Sequence, residues 1–240
     1  MPLDLDSTML LLTLALGAYV QAVTGFALGL VAVGVVAIAG WVSVAVVAAV
    51  VTAATFFNVA AALPGRLHEV RWRESALMAA GMVPAVFGGI VLLDYLSAGL
   101  AEALNTVLAA SILGGGVLLT LRPEPRASAA GSCSTLAMGT VGGLLNGLFA
   151  TGGPPVVYHM YRQPYAVASI RATLLATFGL ACVVRLGLLA TRGDLTPEVL
   201  GLVVASIPVV LGATLLGRRF PPPLSERNIR RSAFALLVLL

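Results

Sequence analysis

The 240-residue chain is 59% hydrophobic and only 10% charged, with a mean hydropathy of +1.02. A soluble domain carries about 25% charged residues, so this chain cannot cover itself with polar groups, and lipid is the solvent that fits. The net charge of +4 does not point to nucleic acid, because the basic residues, all Arg, sit in short loops between apolar runs, where the positive-inside rule puts them.

In chain order, Asp4 and Asp6 stand where a basic leader region would lie, which predicts no cleavable signal peptide. No Asp, Glu, Lys or Arg follows from Ser7 to Gly65. Further charge-free runs cover Ser75 to Leu93, Ala103 to Leu121, Ala127 to Tyr161 and Val199 to Gly217. About 20 apolar residues cross a bilayer core, so several runs match one crossing and two are long enough for more. The first segment of the chain, Thr8 to Ala39, and a later one, Gly131 to Tyr161, each exceed 30 residues. Each holds a cluster that resists continuous helix: Thr24-Gly-Phe-Ala-Leu-Gly29, and Asn146-Gly-Leu-Phe-Ala-Thr-Gly-Gly-Pro-Pro155. Proline removes a backbone donor and clashes with the preceding turn, and glycine adds freedom. Each segment is therefore read as two half-helices meeting at a break inside the membrane. Cys133 and Cys182 have no metal-type spacing.

A shift of about 125 residues aligns the two halves: Gly17 falls on Gly142, Gln21 on Asn146 and Gly25 on Ala150. With a shift of 124, Pro84-x-x-x-Gly88 falls on Pro208-x-x-x-Gly212, and the loop bearing Glu102 on the loop bearing Glu226. The expected architecture is an all-α integral membrane protein of two repeats, residues 1–121 and 127–240, joined by a linker over 122–126. Each repeat is a broken, re-entrant helix hairpin followed by three transmembrane helices. Loop charge orients them. The loop Arg66–Glu74, the linker with Arg122 and Arg126, Arg162, and the segment bearing Arg218, Arg219, Arg227, Arg230 and Arg231 all fall in the cytoplasm only if Gly131–Tyr161 enters and returns. The halves then have inverted topology, as in many secondary transporters, and the N-terminus lies outside. Ser232 to Leu240 is too short to span.

Irregular backbone at membrane depth must be buried in protein or line a cavity. The breaks are thus the first candidates for a binding site. Half-helix N-termini suit an anion. Gln21, Thr24, Asn146 and Thr151 add neutral donors, while Gly25, Gly152 and Gly153 allow close approach to backbone. Gly139, Gly143 and Gly147, spaced by four, also read as a helix-packing stripe. Asn58 is either interhelical glue or a side wall of the site. Arg171 and Arg185 share one apolar helix and can snorkel to its two ends; Arg171, in Ser169-Ile-Arg-Ala-Thr173, ranks above Arg185 as a ligand for an anion. His159 reads as a packed or interfacial residue rather than a proton carrier. The spans hold no Asp or Glu, so a carboxylate proton relay is unsupported. Coupling would use His159, Na⁺ on carbonyls and hydroxyls, or substrate protonation. No phosphate loop, dinucleotide fingerprint or nucleophile elbow is present. No catalytic residue, metal or cofactor is therefore expected.

Gln21-Ala-Val-Thr-Gly-Phe-Ala-Leu-Gly29 and Asn146-Gly-Leu-Phe-Ala-Thr-Gly-Gly-Pro-Pro155 resemble the two repeat motifs of the TauE/SafE family of sulfite and organosulfonate exporters. Ser169–Thr173 and the repeated Pro-x-x-x-Gly are similar to that family as well. The usual glycine triplet is replaced by Phe26-Ala-Leu and by Gly152-Gly-Pro154. The resemblance implies export of a small anion, such as sulfite or a C2–C3 sulfonate, across the bacterial inner membrane by a multi-pass protein. The expected partners are that anion and membrane lipid, with a homodimer left open. The alternatives are a permease for another small solute, an intramembrane enzyme, for which no nucleophile–base spacing exists, and a scaffold or assembly subunit. A polar pocket between Gln21–Thr24 and Asn146–Thr151 separates the transporter from the last two.

Overall fold

A computed structural model describes residues 5–39, 43–97, 106, 110, 125–150 and 152–223. Thr151, the Glu102 loop, Arg122 and the segment from Leu224 to Leu240 lie outside the described residues. Those described form eight α-helices and no strand. They are α1 (Leu5–Thr24), α2 (Leu28–Ala39), α3 (Val44–Ala62), α4 (Trp72–Ser97), α5 (Ser132–Phe149), α6 (Gly153–Tyr161), α7 (Val167–Arg192) and α8 (Pro197–Arg219). Five of them, α1, α3, α4, α7 and α8, are long and apolar enough to cross a membrane. Large apolar side chains such as Leu12, Leu16, Phe87, Val204 and Leu215 face outward. Exposed apolar surface of this kind costs little in lipid.

Both breaks fall inside the clusters read from sequence, at residues 25–27 and 150–152. The arms are unequal rather than two halves. At about 1.5 Å per residue, α1 with 20 residues reaches about 30 Å, whereas α6 with 9 residues reaches about 14 Å. In each case the second arm folds back along the first. A Cβ on Gly17 of α1 would lie 3.0 Å from the Leu28 Cα of α2. At the other break, Gly142 of α5 faces the Val156 side chain of α6.

The second hairpin enters and leaves at one end of the bundle. Arg126 N–H donates to Arg162 O at 2.8 Å, and Ala130 N–H to Gln163 Oε1 at 2.9 Å. Between the arms, Thr135 Oγ1 and His159 Nε2 are 2.9 Å apart. The other described basic loops meet the same end. Arg73 donates to Ser132 Oγ at 3.0 Å, Arg71 lies over the Tyr165 ring at 4.8 Å, and Arg218 donates to Pro64 O at 3.1 Å. At the far end Arg192 pairs with Asp94 at 2.5 Å and with Asp194 at 2.9 Å. Helices α1, α3, α6 and α8 therefore run toward the basic end, and α2, α4, α5 and α7 run away from it.

Packing is tightest between α4 and α5 and between α1 and α8. Gly139, Gly143 and Gly147 press on the α4 backbone at Met78, Met82 and Val86, and Gly81 and Gly89 of α4 press back on α5. The small-residue stripe is thus a helix-packing face. Helices α3 and α7 pack on each other. Ser75 of α4 bonds Thr177 of α7 at 2.9 Å.

Candidate functional site

At the first break the chain turns with φ of +89° at Gly25 and +99° at Ala27. A Cβ at Gly25 would come within 2.9 Å of the Arg171 Cα, so only glycine fits. Thr24 Oγ1 lies 2.9 Å from both Val20 O and Phe26 O and shares its one proton between them. Gln21 Oε1 accepts from Leu28 N–H at 3.1 Å and so caps the start of α2. Its Nε2 has no partner among the described residues, although the residue is only 2% exposed.

At the second break Ala150 takes the left-handed conformation with φ of +55°, and its N–H donates to Asn146 O at 2.8 Å. Pro154 and Pro155 carry no N–H. The donors that open α6 are therefore the amides of Gly152 and Gly153. Asn146 is 4% exposed, and its Oδ1 is unpartnered among the described residues.

The two breaks are joined. Tyr161 OH of α6 donates to Thr24 O at 2.6 Å, and its ring meets Phe26 edge-on with centroids 6.1 Å apart. Beside this contact lies a cavity of about 20 Å³, room for about one water. Gln21, Phe26, Ala27, Gly29 and Leu30 line it from the first hairpin, and Asn146, Ala150, Gly152 and Gly153 from the second. Thr55 of α3 and Phe178 and Cys182 of α7 complete the wall. The N-terminal turns of α2 and α6 both border this space, and their dipoles favour negative charge there. An unpaired buried amide is costly, and the cavity wall carries two. A polar ligand that accepts from Gln21 Nε2 would remove part of that cost.

Of the residues expected at the site, Gln21, Asn146, Gly152 and Gly153 line the cavity. Four others take different places. Thr24 bonds the first turn, and Gly25 seats that turn on α7. Asn58 Nδ2 donates to Ala18 O at 2.9 Å and to Thr214 Oγ1 at 2.7 Å, tying α3 to α1 and α8. Arg171 contributes its backbone contact to Gly25, and its Nε is buried without a partner. Arg185 does not snorkel outward. It is 1% exposed, and its Nη1 donates to the carbonyls of Asn146 and Gly147. The reason is the carbonyl end of α5, the negative end of its dipole, which offers a buried guanidinium acceptors closer than the membrane surface. His159 is 3.0 Å from Gln163 Nε2 and 2.9 Å from Thr135 Oγ1, and packs between the arms of the second hairpin.

The sulfite exporter TauE/SafE family matches the chain over residues 9–240. The chain is 43% identical over 225 residues, 94% of its own length and 88% of the other's, to a protein of Cupriavidus necator described as a probable sulfite/organosulfonate exporter TauE. No solved structure matches it.

Proposed function

The chain belongs to the sulfite exporter TauE/SafE family, and on that premise we propose that this multi-pass membrane protein is a secondary transporter exporting a small anion, sulfite or a small organosulfonate. The anion binds between the two broken helices, near the middle of the bilayer. One observation carries the site. Two buried amides, one from each break, line the same cavity with an atom unpartnered on each. Gln21 Nε2 is a donor, and rotation of the Asn146 amide presents its donor in place of Oδ1. The amides of Gly152 and Gly153 add the backbone donors of a helix N-terminus, the arrangement that receives oxyanions elsewhere. Such a site needs no catalytic residue and no metal.

The architecture that serves this function is a pair of inverted repeats, residues 1–121 and 127–240 about a linker at 122–126. Support comes from helix direction. The pairs that the sequence shift equates, α1 with α5, α2 with α6, α3 with α7 and α4 with α8, run in opposite senses. Exchange of the two halves also maps the α1–α8 packing onto α5–α4 and the α3–α8 packing onto α7–α4. The basic loops shared at one end support a cytoplasmic side there, with the N-terminus outside the inner membrane, by the positive-inside rule. An oxyanion of four heavy atoms needs more room than one water, so its binding requires the hairpins to part.

The test is thermal stabilisation of the purified protein by sulfite, methanesulfonate and small carboxylates. Stabilisation by the sulfur oxyanions is expected, and its loss in both Gln21→Leu and Asn146→Ala. A folded wild-type protein that no anion stabilises, and that moves no labelled sulfonate in proteoliposomes, would overturn the reading.

A further inference from the structure

Arg185 is the only Asp, Glu, Lys or Arg that is buried among the described residues. No carboxylate pairs with it there. Its partners are two carbonyls at the end of α5, and its Nε has none. A helix C-terminus carries about half a negative charge, so roughly half of the guanidinium charge stays uncompensated. Such a charge at membrane depth is expensive and calls for a functional explanation.

Capping alone does not supply one. The first break has the same need, and there the Tyr161 phenol, a neutral donor, bonds the Thr24 carbonyl at 2.6 Å. A cation is more than a cap requires. Its position gives the surplus charge a use. Arg185 follows Cys182 by one turn of α7, and Cys182 lines the cavity. It also bonds the backbone of Asn146, another lining residue. The guanidinium therefore lies against the wall of the cavity that carries the unpartnered Gln21 and Asn146 amides.

We propose that Arg185 is the fixed positive charge that makes this cavity selective for anions. It acts through the low-dielectric wall and holds Asn146 in place, without entering the substrate's shell. This rests on the reading of the cavity as the anion site and adds to it the source of charge selectivity. The N-terminal dipoles of α2 and α6 alone would favour any oxygen-rich ligand. The buried cation discriminates by net charge.

The experiment compares two ligands of nearly equal shape, methanesulfonate with one negative charge and dimethyl sulfone with none. Affinities are measured by calorimetry on the full-length protein in detergent, for the wild type, Arg185→Lys and Arg185→Gln. The wild type should prefer methanesulfonate by at least about tenfold. Arg185→Lys should keep that preference within about threefold, and Arg185→Gln should bring it near unity. A merely structural role would weaken both ligands together and leave the ratio unmoved, so an unchanged ratio in folded Arg185→Gln overturns the proposal. If Arg185→Gln is not recovered folded, the wild type and Arg185→Lys decide: a ratio near one in either overturns it, and a high ratio in both supports it. A wild type that binds methanesulfonate while the ratio ignores Arg185 leaves the anion site standing and removes only Arg185. A wild type that binds neither ligand removes both.

Discussion

Asn58 and Gln21 are both buried amides in charge-free sequence, and their surroundings differ. The Nδ2 group of Asn58 is consumed by Ala18 O and Thr214 Oγ1. Truncation to Ala should cost about 1–2 kcal/mol of stability, the worth of two interhelical hydrogen bonds. Sulfonate affinity should stay within about twofold of wild type, because no freed atom faces the cavity. Gln21→Leu loses only the Oε1 cap on Leu28, about 1 kcal/mol, yet should weaken sulfonate binding about tenfold or more. Melting curves with and without ligand separate the two. The sequence reads Gln21 as a donor because it adjoins the first break, whereas residue type leaves Asn58 open. The sequence carries Asn58 as glue or wall, and only the third-dimension partner Thr214, 156 positions away, decides it. The arginines teach the same lesson. Arg171 and Arg185 lie toward opposite ends of α7, so counting residues predicts snorkelling for both. Sequence position cannot reveal that the carbonyl end of α5 arrives beside Arg185 and a glycine turn beside Arg171. A repeat register that sets Gln21 on Asn146, and hence one break's end on the other's, was the available signal that something must cap α5.

At the scale of elements, the breaks were legible because glycine and proline act locally. The unequal arm lengths were not, since apolar residues continue on both sides of each break and composition alone does not show where the chain reverses. Both breaks carry strain. Gly25 holds φ of +89° without penalty, but Ala27 beside it holds +99° and Ala150 holds +55° with a Cβ, conformations that cost an L-residue roughly 1–2 kcal/mol. Glycine adds unfolded-state entropy worth about 0.4–1 kcal/mol against it. The strain term is the larger, so Ala150→Gly should stabilise the protein by up to about 1 kcal/mol. The reverse change, Gly25→Ala, meets both the positive φ and the Arg171 backbone, and should destabilise by more than about 1 kcal/mol. The glycine stripe was fully legible, because spacing by four leaves one face. Its partner was not. Gly143 lies against the Met82 backbone, and Gly143→Leu should part α4 from α5 and lower the melting temperature more than the same change at Gly201, which faces open space.

At the scale of the whole molecule, inversion rests in the sequence on charge and parity alone, and turns on whether Gly131–Tyr161 crosses or returns. The hydrogen bonds from Arg126 to Arg162 and from Ala130 to Gln163 join the ends of that segment, which supports a return. The membrane side of that shared end is then a physical question with a native reporter. Cys133 sits in the first turn of α5, exposed, beside Ser132, which Arg73 contacts at the basic end. Cys182, the other cysteine, is buried in the cavity wall. In a Cys182→Ser background, a membrane-impermeant maleimide should leave intact cells unlabelled at Cys133 and label it once the inner membrane is opened. That outcome places the linker, the Arg66–Glu74 loop and the end of α8 in the cytoplasm together, because contacts hold them at one end. Labelling of intact spheroplasts would instead turn the whole bundle over. The hairpins and the cavity would survive that result, since neither depends on side. The direction assigned to each half, and the positive-inside reading of these arginines, would not.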